Sequence, residues 1–267
     1  MVTEPTSVYQ KLRGNLAYLR LTAAADALAT ELDRASKEKL SHSAFLERLL
    51  GVEVQSTEER RMAGRRRFSC LPAPWRLEDF DFDAQPRLDR KLVDELGTLR
   101  FIEEAANVLL IGPPGVGKTH LAVSLGHRAV EAGYRTYYTT AADLAARCHR
   151  AAIEGRWATT MRFFAGPSIL IIDELGYLPL AHEAAAALFQ VVTQRYLKGS
   201  IVLTTNRGIT QWGQMFNDDN TVAAAMLDRL LHRSTVLAID GDSYRMRMHR
   251  ARVDSVRRAI APQGGSA

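Results

Sequence analysis

Apolar and polar positions along this chain follow two different rhythms. From residue 8 to 67 the apolar positions recur at helical spacing: Leu12, Leu16, Leu19 and Leu21, then Ala24, Ala27 and Leu28, and later Phe45, Leu46, Leu49 and Leu50. Nothing in that stretch alternates as a strand does, so it predicts an all-helical unit. Leu71-Pro72-Ala73-Pro74-Trp75 ends the pattern, because each proline removes a backbone donor and biases its neighbour toward extended structure. The expected division is a small N-terminal helical domain over 1–70, a second domain over 71–260 and a flexible tail over 261–267.

Beyond the prolines, Leu77 to Phe82 alternates apolar and acidic residues, and a helix is expected around 88–104. Short, almost wholly apolar runs then alternate with helical patterns. Strands are predicted at 107–112, 133–139, 168–174, 200–206 and 235–239, with helices at 118–132, 141–165 and 181–198 and a helical run over Thr221–Leu227. Apolar strands separated by helices predict an α/β domain with a parallel sheet covered on both faces. Such sheets bind ligands beyond the C-terminal ends of their strands.

One of those ends carries a chemical signature. Gly112-Pro113-Pro114-Gly115-Val116-Gly117-Lys118-Thr119 fits the phosphate-loop pattern G-x-x-x-x-G-K-[ST] without a mismatch, with His120 opening the following helix. Glycines there let successive N–H groups point at phosphate oxygens, and the helix N-terminus adds its positive end. Lys118 can reach the β- and γ-phosphates of ATP, and the Thr119 hydroxyl can bind Mg²⁺. Asp173, at the end of an apolar run, is the expected second metal residue, and Glu174 the candidate to polarise an attacking water. Asn206 ends the strand expected beside Asp173, where its amide could hold that water or the γ-phosphate; the alternative is an Asx turn before Arg207-Gly208. Phe80 and Phe82, upstream of the loop, fit either an adenine contact or core packing. Arg229, in Asp228-Arg229-Leu230-Leu231-His232-Arg233, stands where a helix end could offer a finger to a neighbouring subunit or simply face solvent.

Charge adds a second theme. The chain of 267 residues carries a formal net charge of +5, a modest excess that favours a polyanionic partner. More telling is where the charge sits. Arg60, Arg61, Arg65, Arg66 and Arg67 form a dense run at the end of the helical unit, fitting either a solvated helix face or phosphate contacts, and their density favours phosphate. Arg147, Arg150 and Arg156 form a second group. Two distant cysteines, Cys70 and Cys148, make neither a disulfide framework nor a zinc site, and the histidines are scattered. No apolar signal core or membrane-length run occurs, so a cytoplasmic protein with no membrane partner is expected.

Taken together, these residues resemble AAA+ ATPases of the initiator and helicase-loader group, and within it the IstB family of insertion-sequence helper ATPases. The resemblance runs through Phe80-Asp81-Phe82, Asn107 to His120, Asp173-Glu174-Leu175-Gly176-Tyr177-Leu178-Pro179-Leu180, Arg195-Tyr196, Gly199 to Arg207, Trp212-Gly213, Asp228 to Ser234 and Asp242 to Arg245. It implies an AAA+ P-loop sheet covered by helices, a helical N-terminal domain and no full C-terminal lid. It also implies ATP-driven homo-oligomerisation on double-stranded DNA, DNA remodelling, and recruitment of a partner transposase. By this resemblance Lys118 and Thr119 serve phosphate and metal, Asp173 metal, Glu174 water activation and Asn206 the first sensor. Arg229 takes the finger position with Arg233 as its substitute, Arg245 a second sensor contact, and Arg147, Arg150 and Arg156 a DNA-facing element. Arg247, Arg250, Arg252, Arg257 and Arg258 make the tail a further candidate contact. A replicative helicase loader of the DnaC type shares the ATPase core and is the alternative; the run Asp173–Leu180 favours the insertion-sequence family.

Overall fold

The computed structural model describes residues 7–177, 182–216, 220–244 and 246. The chain forms two compact units, residues 1–64 and 65–267. Helices α1 (Val8–Tyr18), α2 (Thr22–Glu38) and α3 (His42–Ser69) supply the first unit, and the last turns of α3 belong to the second. Ser7 and Gln10 start α1 with a reciprocal capping box. Helix α2 has no side-chain cap of its own; Glu53 of α3 accepts the Ala24 N–H at 3.0 Å instead. Leu16, Ala24, Ala25, Leu28 and Leu49 pack into a small core, which accounts for part of the leucine stripe; Leu12, Leu19, Leu46 and Leu50 are exposed. At its other end α3 stops at Ser69, and Cys70 turns left-handed (φ +52°) where the prolines begin.

In the second unit, two single turns (Leu77–Asp79 and Phe82–Ala84) lead to α4 (Arg90–Gly97) and α5 (Arg100–Glu103). The helix expected over 88–104 is therefore two helices, broken at Leu99, which adopts a left-handed conformation (φ +67°) while its side chain stays buried. After these come β1 (Asn107–Ile111), α6 (Lys118–Glu131), β2 (Thr136–Thr140), α7 (Ala141–Ile153), α8 (Trp157–Ala165) and β3 (Ile169–Leu175). Helix α9 (His182–Arg195), β4 (Ser200–Thr205), α10 (Trp212–Met215), α11 (Asn220–Leu231) and β5 (Ser234–Ala238) complete the described part.

All five described strands pair in parallel in the order β2-β3-β4-β1-β5. Successive strand residues point to opposite faces, and both faces are buried. Val108, Leu110, Ile169, Ile171 and Val202 pack with Leu121, Ala122 and Leu125 of α6, while Leu170, Ile172, Ile201 and Leu203 pack with α7, α8, α9 and α11. This parity matters for the site: Asp173 shares the α6 face with Ile169 and Ile171. Strand β1 lies between β4 and β5, so the loop after β1 emerges beside the end of β4.

At the other end of the strands, Arg195 is 1% exposed. Its guanidinium donates to the carbonyls of Phe164, Pro167, Ser168 and Ser200 at 2.8–3.2 Å and to that of Ala165 at 3.3 Å. Burial pushes its pKa down to about 10, so it remains cationic at neutral pH. It ties α8, α9 and the starts of β3 and β4 together without a carboxylate partner among these contacts.

Candidate nucleotide site

The loop 112–117 joins the end of β1 to the N-terminus of α6, which has no side-chain cap on its first N–H groups. Gly117, the residue before the helix, has φ +103°, and a Cβ there would lie 2.6 Å from the Phe80 ring. At Gly115 a Cβ would collide with Ser243, whose neighbour Tyr244 donates its N–H to the Gly115 carbonyl at 2.9 Å. The segment after β5 thus closes against the loop. Lys118 Nζ donates to the carbonyls of Gly112 and Pro113, both at 2.7 Å, so it lies folded along the loop that a phosphate would enter.

Two clefts open from this loop. The larger, about 340 Å³, is lined by Trp75, Phe80, Gln85, Gly115 to His120 and Tyr244. Trp75 stacks on His120 with ring centroids 5.3 Å apart and planes 3° from parallel, and Phe80 meets both His120 and Phe82 edge-on. His120 is held by donating Nε2–H to the Arg76 carbonyl at 3.0 Å. An aromatic slot beside a phosphate loop has the shape and chemistry for a nucleobase. The smaller cleft lies between Pro114, Gly115, Lys118, Thr119, Glu174, Tyr177, Thr204, Thr205 and Asn206. It gathers residues from the ends of three strands, as the sequence led us to expect.

Asp173 is 2% exposed, and three hydroxyls from three elements converge on its carboxylate. Thr119 donates to Oδ1 at 3.1 Å, Thr204 also donates to Oδ1, and Tyr138 donates to Oδ2 at 2.7 Å. Burial and the Asp173 bond hold the Tyr138 phenol far above its ordinary pKa, so it stays a donor. Glu174 behaves differently. Between β3 and β4 the register slips from Ile172↔Leu203 to Leu175↔Thr205, so Asp173 and Glu174 together face the single residue Thr204. This bulge gives Glu174 a left-handed conformation (φ +62°) and leaves it exposed to the smaller cleft. Its N–H finds a partner in Thr204 Oγ1 at 2.9 Å. Strain of about 1 kcal/mol accompanies such a backbone at a non-glycine residue.

Asn206 Oδ1 is buried and has no hydrogen-bond partner, which marks it as an acceptor waiting for a donor from a ligand or water. Asp173 and Thr119 provide hard oxygens on adjoining elements, a donor set that fits Mg²⁺. Among the described residues no three His, Cys, Asp or Glu side chains gather into a separate metal site.

Thr204 and Tyr138 were not anticipated from the sequence. For Thr204 there was a signal, the polar ending Thr204-Thr205-Asn206 on an apolar strand; for Tyr138 there was none, because a strand aromatic reads as core.

The remaining candidates lie elsewhere. Arg229 lines neither cleft; it donates to the Ala225 carbonyl at 2.8 Å and lies 4.9 Å from the Phe189 ring centroid. Arg233 contributes its carbonyl to the Asn107 N–H, and Arg245 and the tail arginines fall outside the described residues. Arg60 and Arg61 pair with Glu53 and Glu58 at 2.7 and 2.8 Å, and Arg66 with Glu131 at 3.8 Å. Arg67 is exposed, whereas Arg65 is half-buried with an unpartnered Nε. Arg147 is held over Phe163 at 3.7 Å and donates to the Tyr137 hydroxyl at 3.3 Å, while Arg150 is exposed and Arg156 pairs with Glu154. Together these three arginines line a cleft of about 410 Å³ between α7 and α8. No helix among the described residues is long and apolar enough to cross a membrane.

Comparison with known proteins places the chain. The model of the family described as IstB-like ATP binding protein matches residues 14–252. The ATP-binding protein of insertion sequence IS5376 from Geobacillus stearothermophilus is 43% identical over 232 residues, covering 87% of this chain and 92% of that one. Its counterpart in insertion sequence IS21 from Pseudomonas aeruginosa is 44% identical over 219 residues, covering 82% of each. Among solved structures, a replication initiator DnaA bound to AMPPCP and single-stranded DNA superposes with a TM-score of 0.53 at 20% identity, over 70% of this chain and 56% of that one. This chain therefore spans little more than half of that structure, and the likeness is one of fold: the AAA+ P-loop sheet.

Proposed function

The chain belongs to the IstB-like ATP-binding family of insertion sequences, an ATPase family, and from that premise we propose that it is the ATP-driven helper of a transposition reaction. In this reading it assembles with ATP on duplex DNA, remodels it, recruits a partner transposase and resets by hydrolysis. The observation that carries the chemical half is the bulge that turns Glu174 into one small cleft with Lys118, Thr119 and Asn206.

The geometry supports the following roles. Phosphates of ATP enter the loop 112–117, and Lys118 exchanges its bonds to Gly112 and Pro113 for phosphate oxygens. Thr119 and Asp173 hold Mg²⁺, which when bound neutralises charge on the β- and γ-phosphates. Glu174, exposed in the cleft, accepts the proton of the attacking water, and Asn206 orients that water or the γ-phosphate. The aromatic slot at Trp75, Phe80 and His120 takes the base. Arg229, which lines neither cleft of its own chain, would meet a γ-phosphate by reaching a neighbouring subunit, and this makes the site an intersubunit one. DNA contacts fall to the exposed members of the arginine groups, Arg67 and Arg150 foremost, with Arg61, Arg66 and Arg156 released from their exposed ion pairs, whereas Arg60 stays with the buried Glu53. Contacts of this kind read phosphate and not base sequence.

Phosphate release measured with no DNA, with long duplex and with single strands tests the reading. Stimulation by duplex supports it. Stimulation by single strands alone would favour the helicase-loader alternative.

A further inference from the structure

Tyr138 belongs to neither the phosphate loop nor the acidic pair, yet its hydroxyl is bonded to the carboxylate at their centre. It comes from β2, the strand at the far side of β3 from the phosphate loop. Its Cα partner on β3 is Ile171, and Thr140 is paired with Asp173, so Tyr138 reaches diagonally along the α6 face to Oδ2 at 2.7 Å. Thr119 and Thr204 meet the other oxygen, Oδ1. The two oxygens are thus gripped from opposite sides.

We propose that Tyr138 is a positioning residue of the nucleotide site, which fixes the Asp173 carboxylate through Oδ2 and so governs how readily Mg²⁺ is taken up with ATP. The inference rests on the reading of Thr119 and Asp173 as the Mg²⁺ residues. A hydroxyl that ligates a cation does so through its oxygen, so Thr119 must turn away from Asp173 when it takes that role. The carboxylate then loses one of its three donors. Tyr138 and Thr204 hold it while Thr119 turns, and only Tyr138 holds the oxygen on the side away from Thr119. Partners of this kind, acting through a ligand and not on the metal itself, tune affinity by orientation. A purely packing role would need the ring and not the hydroxyl, and the ring is what phenylalanine keeps.

The test uses the full-length protein, a fluorescent ATP analogue and a Mg²⁺ titration of its binding. Tyr138→Phe is expected to raise the half-saturating Mg²⁺ concentration about tenfold, with nucleotide binding at saturating Mg²⁺ little changed and the thermal midpoint lowered by only about 2–4 °C for the unpaired Oδ2. In an Asp173→Asn background the same substitution is expected to add nothing, since the bond it removes acts through that carboxylate. An unchanged Mg²⁺ requirement in Tyr138→Phe overturns the proposal, as does an equal effect in both backgrounds. If the unsubstituted protein binds nucleotide with no Mg²⁺ dependence, the assignment of Thr119 and Asp173 fails first and takes this inference with it; a Mg²⁺ dependence that Tyr138→Phe leaves unmoved overturns the inference alone.

Discussion

Thr204 Oγ1 accepts the backbone N–H of Glu174 at 2.9 Å, directly across the bulge in β3. One hydroxyl thereby does the work of a missing ladder bond, and its own proton goes to Asp173. The acids differ as a result: Asp173 is tucked under the loop with both oxygens occupied, while Glu174 stands exposed in the cleft.

Thr204→Val keeps the shape and removes both bonds. The bulge loses its support, and a stability loss of about 1–2 kcal/mol is expected from the orphaned polar groups. Displacement of Glu174 should lower kcat about 10- to 100-fold while nucleotide affinity changes far less. Thr204→Ser, which retains the hydroxyl, should recover most of the rate. Steady-state phosphate release beside nucleotide titration checks the rate and affinity expectations, and urea unfolding checks the stability loss.

Arg195 gives a prediction of a different kind, because its contacts lie at the N-terminal ends of β3 and β4, away from the nucleotide. Arg195→Met removes the donor shared by five carbonyls, of which Ser168 keeps the Ser200 N–H. A loss of about 3 kcal/mol or more is expected in urea unfolding. Arg195→Lys should fall between, since three ammonium donors cannot reproduce the planar fork. Nucleotide affinity of the folded fraction should be unaffected in both.

In the helical unit the relevant group is Glu53. Its carboxyl pKa is held below the ordinary 4.5, first by the Ala24 N–H it accepts and then, against the cost of burial, by Arg60. A depressed pKa means that the stabilisation is present above the unfolded value and fades as pH falls through the folded one. Glu53→Gln should therefore speed hydrogen exchange of the Ala24 amide at neutral pH, and the difference from the parent should shrink as pH drops below 4.5. Amide exchange followed by NMR over that range measures it directly.

Much of the domain was legible in advance because its signals are local. The phosphate loop, the apolar strands and the acid pair each lie within a short window, and alternation of strand and helix leaves few topologies. What stayed hidden depends on partners far along the chain. Tyr138 lies 35 residues from Asp173, and as a strand aromatic it looked like core. Arg195 entered only as part of the family resemblance, and nothing local in the sequence showed that carbonyls would cage it. The bulge at Glu174 is a mismatch between two strands, and the apolar run through Ile172 gives no warning of it. Leu99 broke a helix that periodicity had run through, because a left-handed turn allowed both Leu96 and Leu99 to be buried.

Under the proposed function, occupancy of the 112–119 loop controls assembly on duplex DNA, and binding of a labelled long duplex with and without ATP tests this most directly. Glu174→Gln should bind with ATP and remain bound as a large complex in sedimentation, because the nucleotide is held but not hydrolysed. Lys118→Ala should form no such complex with any nucleotide. If both variants and the unsubstituted protein bind duplex equally well with and without ATP, the nucleotide does not control assembly and the proposed function is overturned.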